Sequence, residues 1–225
     1  MIVKIAAFTD EAQIAKLKGL IAKLEWRDGR ETAGAVAKQV KRNLQARVTD
    51  EAGRALRAEL QPLIEDNRVL KAAARPRLIS PLLISKTADG GHYGPHVDNA
   101  LMGKAPGRIR TDISFTLFLS NAADYTGGEL VVHNSGITQS IKGDWGQLVL
   151  YPSSSIHEVK PVTSGERIVC VGWIESLIRD PMQRELLFDL ENLRTSLRQK
   201  LDLQSLELLS LDKSMSNLVR MWSDP

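Results

Sequence analysis

From Pro76 onward the chain breaks into short runs rich in β-branched and apolar residues: RLISPLLIS, HYGPHVDNA, ISFTLFLS, GELVVHN, QLVLYP, HEVKPV and RIVCVGWIES. Turn signals punctuate them at Gly90-Gly91, Gly127-Gly128, Ser135-Gly136, Gly143-Asp144 and Ser164-Gly165. No helix-length pattern intervenes, as the crossovers of a parallel sheet would require. Short strands at this frequency imply a sandwich or barrel, and a double-stranded β-helix, the small jelly roll, fits best.

Helical patterns flank this β-rich stretch, so the expected class is α+β. Thr9 and Asp10 are cap-type residues, and Ile14, Leu17, Ile21 and Leu24 follow at helical spacing, which predicts a helix over residues 10–26. Residues 26–49 show no clear periodicity. A second helical region runs through Leu56, Leu60, Leu63 and Ile64 towards Leu70, interrupted or restarted at Pro62. After the β-rich stretch, Asp180-Pro181 reads as a cap followed by proline in the first turn, and Met182, Leu186, Leu190, Leu193 and Leu197 trace one face of a helix. A leucine-rich segment from Leu203 to Trp222 closes the chain. The reading is a helical support region over residues 1–75, a catalytic core over 76–178 and a helical extension over 179–225. The extension packs on the barrel or on a second copy, giving a homodimer.

At 225 residues, 43% hydrophobic and 25% charged, the chain has the composition of one folded globular unit. Its net charge of +3 raises the question of nucleic acid. However, Lys38, Lys41, Arg42, Arg47, Arg54 and Arg57 are interrupted by Asp50, Glu51 and Glu59, and no nucleic-acid motif is present, so a solvated helical face is expected. The only cysteine, Cys170, lies in an apolar run and reads as a buried structural thiol. The opening MIVKIAAFTDEAQ has too short an apolar run for a signal peptide, and no stretch approaches a membrane span, which gives a cytoplasmic expectation.

His96 and Asp98 stand two apart in a predicted strand, where alternation puts an imidazole and a carboxylate on the same face. His157 follows after 58 intervening residues, enough for several strands to pass before the chain returns. The three would form a 2-His-1-carboxylate triad, which holds one face of an octahedral ion and leaves three positions open, as iron(II) needs to bind a chelating oxoacid and dioxygen. Ten residues past His157, where a hairpin would bring the next strand back, stands Arg167. Its planar fork suits the distal carboxylate of 2-oxoglutarate. His92 reads as a rim residue and His133 as a turn residue. In RTDISFTLFLS, Asp112, Ser114 and Thr116 form a polar face expected to look into the pocket. Trp173, six residues past Arg167, shares its face as a pocket wall.

The segments YGPHVDNA, RTDISFTLFLS, DYTGGELVV, LVLYPSSSIHEVKPVTSGER and GWIESLIRD closely resemble the PKHD-type hydroxylases, a branch of the prolyl-hydroxylase-like iron/2-oxoglutarate oxygenases. The resemblance covers roughly residues 78–225. It implies His96, Asp98 and His157 as iron ligands and Arg167 as the 2-oxoglutarate anchor. It implies hydroxylation of a prime substrate coupled to decarboxylation of 2-oxoglutarate to succinate and CO₂, with ascorbate as a rescuing reductant. Tyr93 matches an aromatic position of the broader group. Related enzymes place a tyrosine nine or ten residues before the first histidine, where this chain has Lys86 and Thr87. A cupin-like metal oxygenase or isomerase without 2-oxoglutarate, and a non-catalytic partner-binding jelly roll, are the competing readings; Arg167 disfavours the first and the intact triad the second.

Overall fold

The computed structural model describes residues 1–32, 37–134 and 136–224. The helices in chain order are α1 (Glu11–Ile21), α2 (Ala37–Val40), α3 (Glu51–Glu65), α4 (Arg68–Ala74), α5 (Pro181–Leu197) and α6 (Leu206–Trp222). The first third also carries short strands: β1 (Val3–Ala6), β2 (Trp26–Asp28), β3 (Lys41–Arg42) and β4 (Leu44–Ala46). Then come β5 (Pro76–Ile79), β6 (Leu83–Thr87), β7 (His92–His96), β8 (Leu101–Met102), β9 (Ile109–Arg110) and β10 (Ile113–Phe118). The rest are β11 (Tyr125–Gly127), β12 (Leu130–Asn134), β13 (Ile137–Ile141), β14 (Gln147–Pro152), β15 (Ile156–Val159), β16 (Val162–Gly165) and β17 (Arg167–Ser176).

Two antiparallel sheets make the double-stranded β-helix. The major sheet runs β1-β14-β10-β17-β6-β4-β2, with β5 also pairing β17, and the minor sheet runs β13-β12-β15-β7-β3. Strand β10 shows how sequence alternation builds this architecture. Ile113, Phe115 and Leu117 point outward into a core completed by Leu17 of α1, Leu56, Leu60 and Ile64 of α3, and Leu70 of α4. Phe118 points inward and packs with Leu130, Val132, Val149 and Tyr151 between the sheets, while Ser114 and Thr116, on the same inward face, line a cavity. The N-terminal helices thus back the major sheet and leave its other face for the site. Cys170 is fully buried in the outer core, and burial pushes its thiol pKa well up.

Several local expectations shift for physical reasons. Asp10 caps α1 by accepting from Gln13 N at 2.7 Å, but the helix stops at Ile21. Trp26 pairs with Ala46 in the major sheet, and that requires extended backbone before residue 26. Helix α3 runs through Pro62, whose carbonyl still accepts from Asp66 N at 2.9 Å; the restart comes at Asn67, whose side chain caps α4. His133 lies within β12, not in a turn, and its Nε2 is 3.5 Å from Glu158. The Ser135-Gly136 turn signal falls partly outside the described residues, because Ser135 is not described. On α5 the buried side chains are Arg184 and Leu187, whereas Met182 is 74% exposed and Leu186 and Leu193 are nearly half exposed. Met182, Leu186 and Leu193 therefore look away from the barrel, while Leu190 and Leu197 of the same stripe are half-buried.

Candidate metal and co-substrate site

His96 closes β7 and faces His157 of β15 across one rung of the minor sheet. The strand ends there, so Asp98 lies just beyond it in a loop and not on the same strand as His96. Its carboxylate still meets the imidazoles. Asp98 Oδ1 is 4.0 Å from His96 Nε2, and Oδ2 is 3.6 Å from His157 Nε2. One ligand atom from each residue lies within 4.8 Å of the others, and the three side chains are only 8%, 9% and 5% exposed.

Each ring is held from behind. Nδ1 of His96 is 2.8 Å from Gly94 O, and Nδ1 of His157 is 3.0 Å from Ser155 O. A carbonyl oxygen only accepts, so each Nδ1 donates and each Nε2 keeps its lone pair for the centre. Burial, and then neighbouring His157, drops the His96 pKa to about 4, so the ring is neutral at physiological pH and ready to ligate. Tyr93 stacks on His96 at 3.6 Å, and Tyr151 meets His157 edge-on at 5.1 Å. The Ser114 hydroxyl donates to Asp98 Oδ2 at 2.6 Å and is 2.7 Å from Ser153 Oγ. Two nitrogens, one carboxylate and an open side fit iron(II), and the absence of thiolate among them argues against structural zinc.

Ser114 donates to the one carboxylate of the three side chains, so Ser114→Ala should weaken iron binding by about 10–100-fold, the usual cost of losing a partner that orients a ligand group. Iron affinity measured by chelator competition checks this. An unchanged affinity would mean that Asp98 is positioned without the serine.

Arg167 does not return beside His157 in a hairpin. The chain crosses through β16 to the major sheet, where Arg167 begins β17 and looks across the cavity at the triad. It is 2% exposed, and its guanidinium carbon lies 5.5 Å from the centre of the Phe118 ring. Its Nε has no hydrogen-bond partner among the described residues, and the hydroxyl of Tyr125 lies beside the fork. Burial lowers the Arg167 pKa, yet a guanidinium keeps its charge even so. A buried cation with an unused donor fits a carboxylate. Gly128 makes room for it: at φ +70 it adopts a left-handed conformation, and a Cβ there would lie 3.0 Å from Arg167 Cδ and 3.0 Å from a Tyr125 ring carbon.

A cavity of about 630 Å³ contains the triad, Arg167, Tyr93, Thr116 and Trp173. Asp112 is not in its lining, because its carboxylate is engaged by Arg110 Nε at 2.9 Å and by Ser176 N at 2.9 Å. His92 lines a neighbouring cavity. Thr87 stands opposite Arg167 in the β6–β17 register and lines the site, whereas Lys86 turns away to Glu166. The cavity also takes Lys41, Asn43 and Gln45 from the segment without periodicity. These three residues carry no motif; register with β6 and β7, visible only in the fold, brings the segment there, whereas Tyr125 stands within DYTGGELVV without a role assigned to it from sequence.

Residues 82–175 match the family model of the 2OG-Fe(II) oxygenase superfamily. A PKHD-type hydroxylase of Hyphomonas neptunium is 47% identical over 211 residues, covering 94% of each chain. One of Synechococcus elongatus is 44% identical over 224 residues, 100% of each. Among solved structures, an oxidoreductase of the 2OG-Fe(II) oxygenase family from Burkholderia pseudomallei gives a TM-score of 0.56 at 20% identity, covering 77% of this chain and 84% of that one. A prolyl hydroxylase from Trichoplax adhaerens gives 0.54 at 18%, covering 82% and 86%. Those two structures share the fold, and the full-length identities carry the family. The chain belongs to the PKHD-type hydroxylases and is an iron(II)- and 2-oxoglutarate-dependent oxygenase.

Proposed function

We propose that His96, Asp98 and His157 hold the iron, that Arg167 pairs with the C5 carboxylate of 2-oxoglutarate, and that the remaining cavity receives the prime substrate. The observation that carries this reading is a buried, under-bonded guanidinium in the same cavity as three converging ligand side chains. Iron with 2-oxoglutarate and dioxygen supplies the oxidative chemistry, in which the oxoacid becomes succinate and CO₂ and a substrate C–H becomes C–OH. The protein's role is positional. The Gly94 and Ser155 carbonyls fix both imidazoles, Ser114 fixes the carboxylate, and Tyr93 and Tyr151 wall the ligands from water. Thr87 and the Tyr125 hydroxyl flank the anchor, and Thr116 and Trp173 shape the wall.

Anaerobic titration of the apoprotein with iron(II) and 2-oxoglutarate tests the site. A visible metal-to-ligand charge-transfer band saturating at one equivalent of each is expected, and a spectrum without it would reject the assignment. In the same reading ascorbate restores iron lost to unproductive turnover, and the protein works in the cytoplasm. Residues 1–75 support the core of 76–178, while residues 179–225 cover it. The exposed row Met182, Leu186 and Leu193 on α5, with Leu206 and Leu209 on α6, would be the homodimer face. Sedimentation should then give a dimer that Leu186→Glu/Leu193→Glu dissociates; a wild-type monomer at micromolar concentration would refute it.

A further inference from the structure

The strip of chain from residue 40 to 45 that walls the metal cavity has a second side. A neighbouring cavity of about 510 Å³ shares Val40, Lys41 and Asn43 with the first and is bounded beyond them by β2, β3 and the β6–β7 turn. Its charges are unbalanced. Among the described residues, Arg30, Lys38, Lys41, Arg42 and Lys86 line it against two carboxylates, Asp28 and Asp89. Two of the cations are matched locally, because Arg30 is hydrogen-bonded to Asp28 and Lys86 Nζ lies 2.9 Å from Glu166. Lys38 and Arg42 are both exposed, and Asp89 is the one other carboxylate among the described lining residues. Lys41 is 8% exposed and lines both cavities.

Lys41 also ties this cationic wall to the metal centre. Its Nζ is 5.2 Å from the centre of the Tyr93 ring, and that ring stacks on His96. The mouth of the metal cavity is different in character, for Val97 and Leu101 are 52% and 55% exposed beside it. A ligand that fills both cavities must combine an apolar group over the metal with an anionic group on the far side of the strip. Together the cavities exceed what one residue fills once 2-oxoglutarate has taken its share of the first.

Given the metal-site reading above, on which this rests, we propose that the prime substrate is an acidic peptide segment: the side chain to be hydroxylated enters the metal cavity, and carboxylates of neighbouring residues seat in the basic cavity against Lys38 and Arg42. Charge sets partner choice here more than total affinity.

The test uses full-length protein loaded anaerobically with iron(II) and 2-oxoglutarate, so that the charge-transfer band reports on the metal site in the same sample. Fluorescein-labelled hexaglutamate, hexaserine and hexalysine peptides are titrated by fluorescence anisotropy. They are compared in wild type, in Lys38→Glu/Arg42→Glu, and in Lys200→Glu/Arg220→Glu, which makes the same charge change at exposed positions of the C-terminal region. Wild type should bind hexaglutamate in preference to the other two. The Lys38/Arg42 reversal should weaken that binding by about tenfold or more, since two attractive surface pairs become repulsive, and the control reversal should change it less than about twofold. No hexaglutamate binding by band-positive wild type, or an equal loss in both double variants, would overturn the proposal. So would displacement by the small acid tricarballylate at equal carboxylate concentration, or a change confined to the 2-oxoglutarate half-saturation. A missing band would instead count against the metal-site reading.

Discussion

Arg167→Leu should raise the 2-oxoglutarate concentration needed for half-maximal succinate formation by tens- to thousands-fold. The side chain is 2% exposed and its Nε has no protein partner among the described residues, so its replacement leaves the incoming carboxylate desolvated and unpaired. Removing one partner of a buried charge pair costs about 2–5 kcal/mol, which sets that range. Arg167→Lys keeps the charge but loses the fork, and it should fall between wild type and the leucine variant. Iron affinity should hold in both, because Arg167 looks at the triad from the opposite sheet and supplies no ligand atom. The measurement is succinate formation across a co-substrate titration at saturating iron. An unchanged half-saturation in Arg167→Leu would remove the anchor and revive a cupin-like chemistry without 2-oxoglutarate.

Asp98→Ala should abolish turnover and weaken iron binding by more than about a hundredfold, beyond the 10–100-fold that an outer partner costs. Asp98 is the only carboxylate of the three converging side chains, and the two imidazoles left would hold a divalent ion without charge compensation. The apoprotein should nonetheless fold as well as wild type, since removing a buried carboxylate relieves a desolvation cost as it breaks the bond to Ser114. Chelator competition, thermal unfolding of the apoprotein and succinate release separate these effects. Activity at the wild-type rate with an unaltered iron affinity would defeat the ligand assignment.

The residues that a strand must show are legible in the sequence alone. The alternation in ISFTLFLS sends Phe115 and Leu117 to the helices and Ser114 and Thr116 to the cavity, as period-two patterning requires. The fold class follows from the same pattern and is that of the family's solved structures. What the sequence hides is set by long-range register. Asp98 reaches the triad from a loop, and Arg167 from the facing sheet, although sequence spacing suggests a strand for one and a hairpin for the other. Thr87 meets Arg167 because β6 pairs with β17, and Lys41 meets Tyr93 because β3 pairs with β7. Neither pairing leaves a local trace. The stripe on α5 is a continuous helical face, but amphipathic spacing does not say whether a barrel or another surface covers it.

The depth of Arg167 has a kinetic consequence. The guanidinium sits against Phe118 in the interior, while the apolar residues Val97 and Leu101 stand exposed at the mouth of the same cavity. In the proposed reading the co-substrate must travel inward past the place where the prime substrate comes to rest. Addition is then compulsory in order, with 2-oxoglutarate first and prime substrate second. Departure runs in reverse, so succinate stays trapped until the hydroxylated product has cleared the mouth, and it returns as an inhibitor competitive with 2-oxoglutarate.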